Sequence, residues 1–233
     1  MMWITIAAAA QHDRWAALVR GSGLSPSQAD AAIASQSFGA LTAELRRSEA
    51  HHLDIESLLS RVVAARGFED AQDVAAVLRT RIATTLTRVA GAGRSRKAPL
   101  LIVGLVPRAF GSMTAEMRQS LDERSDLIEA RASAVLDEAL HAGDSWTHEL
   151  GAFPHQSTRW RQHARTVAAY RDRYAVVGAS ALGPAPQTMV QRRDAARARA
   201  ALKAAKWLSD GNGDFESQRP GRSRGPRPLS IRI

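Results

Sequence analysis

The stretch "TAEMRQSLDERSDLIEARASAVLDEALHAG", residues 114–143, sets the architecture. Met117, Leu121, Ile128, Ala132, Val135 and Ala139 follow one another at spacings of 3, 4 and 7, which puts them on one stripe of an α-helix. Asp122, Glu123, Asp126 and Glu129 crowd the same segment. Paired carboxylates can do acid–base work only in a shielded cleft, and beside an apolar stripe they read as a solvated face. So long a one-sided helix must bury its stripe against other elements. The expected fold is mainly α, a helical bundle or two helical sub-bundles with a disordered basic C-terminal tail.

Upstream the same periodicity recurs. Segment 4–20 pairs Trp15, Leu18 and Val19, and Gly21 and Gly23 stop it. "SPSQ" at 25–28 is a helix start, with Ser25 as cap, Pro26 at the first helical position and Gln28 completing a capping box. That helix runs to about Ala34. Residues 37–51 put Phe38, Leu41 and Leu45 on one face. Residues 54–67 align Ile55, Leu58, Leu59, Val62 and Val63 ahead of a stop at Gly67. Residues 70–91 align Val74, Val77, Leu78, Ile82 and Leu86, with Asp70 as the expected cap and Gly91 as the end.

"GAGRSRKAP", 91–99, breaks this pattern and is the expected internal boundary. It separates an N-terminal helical subdomain, 1–90, from a C-terminal one, 100–208. "LLIVGLV", 100–106, is β-like, but no partner strand is evident, so it reads as a buried extended or short helical segment. Residues 144–156 read as a loop, about 157–175 as a helix, "LGPAP" at 182–186 as a stiff turn, and 187–208 as the last helix. From 209 on, Gly, Pro, Ser and Arg dominate and predict disorder.

Charge is distributed unevenly. Residues 1–156 carry 16 basic and 18 acidic residues, whereas 157–233 carry 16 basic and 5 acidic. The whole positive excess therefore sits in the C-terminal third, which suggests a polyanionic partner. In "RWRQHARTVAAYRDRY", 159–174, the stripe Trp160, Ala164, Val167, Tyr170 and Tyr174 faces a core, and the arginines form no single face. Arg171 points close to that stripe and must snorkel or meet an acid. The last helix is more polarised: Arg192, Arg199, Lys203 and Lys206 align, with Arg193 and Arg197 nearby, opposite Ala198, Ala201, Leu202, Ala205 and Leu208. With Arg219, Arg222, Arg224 and Arg227 of the tail, these residues are the candidate DNA-binding set. The competing reading is a solvated alanine-rich helix and a basic tail.

Other chemistry finds little footing. The chain has no cysteine, which excludes disulfides and thiol chemistry. The seven histidines lack metal-ligand spacing, and "GAGRSRKA" lacks the second glycine and the hydroxyl of a phosphate loop. No serine or threonine has a nucleophile-elbow context. No apolar run reaches membrane-spanning length. "MMWITIAAAAQ" ends like a signal peptide but has no positive start, so it reads as the beginning of a first helix.

Four stretches together resemble a known family. "QHDRWAALVRGSGLSPSQADAAIAS", "FGALTAELRRSEAHHLDIESLLSRVVAARGFEDAQDVAAVL", "TAEMRQSLDERSDLIEARA" and "ARTVAAYRDRY…LGPAP" are similar to the C-terminal region of conjugative relaxase–helicases of the MobF (TrwC/TraI-like) class from actinobacteria. The resemblance spans about residues 8–205. It implies a relaxase domain with a nicking tyrosine and a three-histidine metal site, then a helicase region, both lying outside this chain. No catalytic residue of that family can be placed here, and the resemblance suggests a split gene or a free-standing accessory copy. The expected function is a non-catalytic, cytoplasmic module of DNA processing that touches DNA backbone without reading sequence. It would use no cofactor, no metal, no membrane and no small-molecule ligand. The alternatives are docking of the 114–143 helix on a relaxase, helicase or coupling protein, or a decayed gene fragment.

Overall fold

The computed structural model describes residues 11–91, 98–154 and 157–210, with side chains described to Thr87 in the first stretch. Among these residues the chain is mainly α. The helices are α1 (His12–Arg20), α2 (Pro26–Ala34), α3 (Phe38–Ala50), α4 (Ile55–Ala64), α5 (Val74–Gly91), α6 (Ala115–Ala142), α7 (Thr158–Arg173) and α8 (Met189–Ser209). A two-stranded hairpin, β1 (Leu101–Ile102) and β2 (Val106–Pro107), precedes α6, and a 3₁₀ turn, Ser145–Leu150, follows it. None of the helices is long and apolar enough to cross a membrane, among the described residues.

Two compact units result, Met1–Asp137 and Glu138–Ile233. The division falls inside α6 and not at 91–99. The chain beyond that break returns to the first unit: the Leu100 amide donates to the Ala50 carbonyl, and β2 lies against α3. Gln11 and Arg14 both donate to the Phe110 carbonyl, which pins the segment after the hairpin to α1.

Caps and stripes set the first unit. Ser25 accepts from the Gln28 amide and Gln28 answers to the Ser25 amide, so the full capping box forms. Helix α5 packs on α2, α3 and α4. Leu41, Leu45, Leu58, Leu59, Leu78 and Ile82 are fully buried together with Trp15. α4 ends at Ala64, three residues short of Gly67, and the Arg81 guanidinium takes over the end. It donates to the carbonyls of Arg66 and Gly67 at 2.6 and 2.9 Å and lies 4.2 Å over the Phe68 ring. It also donates to the Val62 carbonyl in the last turn at 3.3 Å, one of the groups that a helix end otherwise leaves open.

Two expectations need correction here. The cap of α5 is Asp73, not Asp70: its carboxylate accepts from the Ala76 amide at 3.1 Å. It also accepts from the hydroxyls of Ser35 and Ser37 at 3.0 and 2.6 Å, so one side chain caps α5 and ties down the α2–α3 turn. The segment 100–106 does have a strand partner, which is its own continuation. Ile102 pairs with Val106 across a turn in which Val103 and Gly104 take φ of 43° and 72°. A β-branched residue is strained at positive φ. The Val103 amide is held there by Glu129 Oε1 at 3.0 Å, which also removes Glu129 from the purely solvated face. On α6 the buried positions are Leu121, Ser125, Ala132, Leu136 and Ala139, while Met117 is 37% exposed.

The Ser37 hydroxyl, followed by the Ala76 amide, holds the Asp73 carboxyl below its ordinary value of 3.8. Stabilisation from a depressed carboxyl is present above about pH 4 and is lost as pH falls through its lowered folded value. Asp73→Ala is expected to cost about 1 kcal/mol at neutral pH, as for a lost N-cap, with the difference from wild type shrinking toward pH 3. Urea unfolding at both pH values checks this, and an equal deficit at both would refute it.

Candidate nucleic-acid interface

The second unit is built on α7 and α8, which pack against each other, with the 3₁₀ turn against α8. The aromatic stripe read from 159–174 is core. Trp160 and Tyr170 are fully buried, the Trp160 indole N–H donates to the Leu150 carbonyl at 3.2 Å, and Phe153 meets the Trp160 ring edge-on at 4.9 Å. Arg171 does not snorkel, and it makes no direct ion pair with an acid among the described residues. It is 8% exposed, lies 4.8 Å over the Trp146 ring and donates to the carbonyls of Gly178 and Ser180, which folds the 175–181 turn back onto α7. Burial pulls its guanidinium below the ordinary arginine value, and the charges of Asp144 and Glu149 oppose that pull.

α8 starts where Thr188 accepts from the Gln191 amide and Gln191 reaches back to the Gln187 amide. Its inward face is almost all alanine: Ala195, Ala198, Ala201 and Ala205 are buried. The exception is Asp194, 1% exposed. Its Oδ2 accepts from the Tyr174 hydroxyl at 2.7 Å and lies 3.3 Å from Arg173 Nη1. At the other end Gly151, with φ of 80°, comes so close to Ser209 that a Cβ would collide with the serine side chain. The helix is thus fixed at both ends, and its rotation about its own axis is determined.

That rotation decides which cations face out. Arg192, Arg199, Lys203 and Lys206 are all exposed. At 1.5 Å per residue they extend over roughly 21 Å of helix. Arg193 and Arg197 are half-buried and each is engaged in interactions within the chain, so they do not share that outward row. Arg219, Arg222, Arg224 and Arg227 lie outside the described residues. The only acid on α8 is Asp194, and it is buried against Arg173 and Tyr174. The exposed face therefore carries positive charge that no acid of its own helix offsets. Helical phase also places Trp207 one turn after Lys203 on the same row; it is 44% exposed and was absent from the sequence-derived set.

No group of three metal-ligating side chains exists among the described residues. Burial and then the hydrogen bond to Asp194 raise the Tyr174 phenol above its ordinary value of 10.0. It keeps its proton through neutral pH and acts as a donor that holds two helices together. In the first unit a groove of about 920 Å³ is lined by Asp13, Arg14, Glu49, Asp54 and Glu56, but Arg14 is already spent on Glu49 and the Phe110 carbonyl. Comparison with protein-family models, curated proteins and solved structures found no match.

A raised phenol contributes stability that is complete below pH 10 and is lost as pH rises toward the folded value. Tyr174→Phe is expected to cost about 1.5 kcal/mol at pH 7, because it removes a hydrogen bond to a charged acceptor, and to flatten the loss of stability above pH 10. Asp194→Ala should cost more, about 2 kcal/mol, by freeing Arg173 as well. Thermal unfolding from pH 7 to 11 tests both, and an unchanged alkaline limb in Tyr174→Phe would show that the tyrosine is not its source.

Proposed function

We propose that this chain is a non-catalytic accessory module of a cytoplasmic DNA-processing machine, contacting DNA backbone without reading sequence through the outward face of α8. The observation that carries the reading is the row Arg192, Arg199, Lys203 and Lys206, exposed along one side of a helix whose single acid is buried. Cations arrayed this way bind phosphates by releasing counterions, which demands charge and reach but no base-specific geometry. The resemblance of several stretches to the C-terminal region of conjugative relaxase–helicases supports DNA transfer as the setting. The basic tail would extend the same contact.

A second reading draws on α6. Leu127 is 64% exposed there, between Asp126 and Ile128 on a helix rich in acids. Docking of that helix on a relaxase, helicase or coupling protein would cover it.

Deleting α8 would be a poor test, because its alanine face and Asp194 hold the second unit together. Charge removal on the outward face leaves that packing in place. The quadruple variant R192A/R199A/K203A/K206A should keep the wild-type melting temperature. Its log–log salt dependence for duplex DNA should be shallower by roughly 3 to 4, close to one unit per lost phosphate contact. Fluorescence anisotropy across a salt series measures this. An unchanged slope would rule out α8 as the contact.

A further inference from the structure

Trp207 stands apart from the other described tryptophans. Trp15, Trp146 and Trp160 are at most 3% exposed, and each lies against a cation or another ring. Trp207 is 44% exposed, and no ring, cation or hydrogen-bond contact engages it among the described residues. An indole this open presents a flat aromatic face on the helix that also carries the exposed cations.

Its surroundings say what it would bind. Lys203 is four residues earlier on the same helical row, and Lys206 is its chain neighbour; both are exposed. The residue three positions back is Ala204, and Ala200 lies one further turn along; Ala200 is exposed and Ala204 half-buried. These short side chains leave the indole unshielded on that side. An exposed ring with one exposed lysine a turn before it on its own helical row, and a second on the adjoining row, matches a ligand that offers a flat π-face next to a phosphate. Paired bases in a duplex hide their faces in the stack, whereas unpaired bases present them.

We infer that Trp207 is a stacking residue for an unpaired base, with Lys203 and Lys206 holding the flanking phosphates, so that the ligand of this face is single-stranded nucleic acid. The inference rests on the phosphate-contact reading of α8 and adds strand selectivity to it. An apolar protein surface would also cover an indole, but it would not call for two cations beside it.

The test compares three probes at one salt concentration: a thymidine dodecamer, an abasic strand of equal length and a duplex of equal length. Binding of wild type, Trp207→Ala and Trp207→Phe is followed by anisotropy, and circular dichroism confirms intact helix. Wild type is expected to bind the thymidine strand about ten-fold more tightly than the abasic one, the size of one base–aromatic stack. Trp207→Ala should bind both strands equally, with duplex affinity unchanged, and Trp207→Phe should keep most of the preference. Equal binding of all three probes by wild type would overturn the stacking role and leave the phosphate contact standing. A preference that survives in Trp207→Ala would do the same. Failure of wild type to bind any probe would remove the phosphate contact and the stacking role together.

Discussion

The second unit depends on one buried carboxylate. Asp194 would be costly to bury alone, and it is tolerated because a phenol and a guanidinium from the end of α7 meet it there. Alanines alone would let α8 roll or slide, since they offer little shape to interlock. A charge with two fixed partners admits one register. From that register follow the burial of the alanine face, the outward row of cations and the position of Trp207. The first unit uses the same device in a different form: Asp73 joins the α2–α3 turn to the first turn of α5, the helix on which its neighbours pack.

Much of this was legible in the chain. Helical periodicity located α2, α3, α7 and α8 to within a residue or two, and the Ser25 box was readable because all its parts lie within four residues. What escaped depends on distance in sequence. Asp70 and Asp73 both precede the α5 stripe, and only the hydroxyls of Ser35 and Ser37 distinguish them. Gly67 looked like the stop of α4, but Arg81, fourteen or more residues on, supplies the terminating contacts. The hairpin was missed because its strands are two residues each and its turn puts a valine where glycine or asparagine is the usual choice.

The candidate interface was half legible. The alignment of Arg192, Arg199, Lys203 and Lys206 follows from spacing alone. The half-buried state of Arg193 and Arg197 does not, because a helical wheel gives direction and not the height of the neighbouring helix. Trp207 was available to the same wheel, four residues after Lys203. What the wheel does not give is that its ring stays 44% exposed. Arg171 shows the opposite case: its position near an apolar stripe was plain, but its partners are carbonyls of a turn that no pattern predicts.

The division of labour around α8 also bears on how such a protein changes over time. Its packing side consists of small apolar side chains and one acid, and its outward side consists of long chains that touch little else. Substitutions on the outside can thus accumulate without passing through unfolded intermediates. A lineage could exchange cations for acids, or an indole for a hydroxyl, and test each new surface against whatever it meets. The fold would persist while the chemistry of the outward face drifted, which makes the helix a surface on which selection can act almost independently of stability.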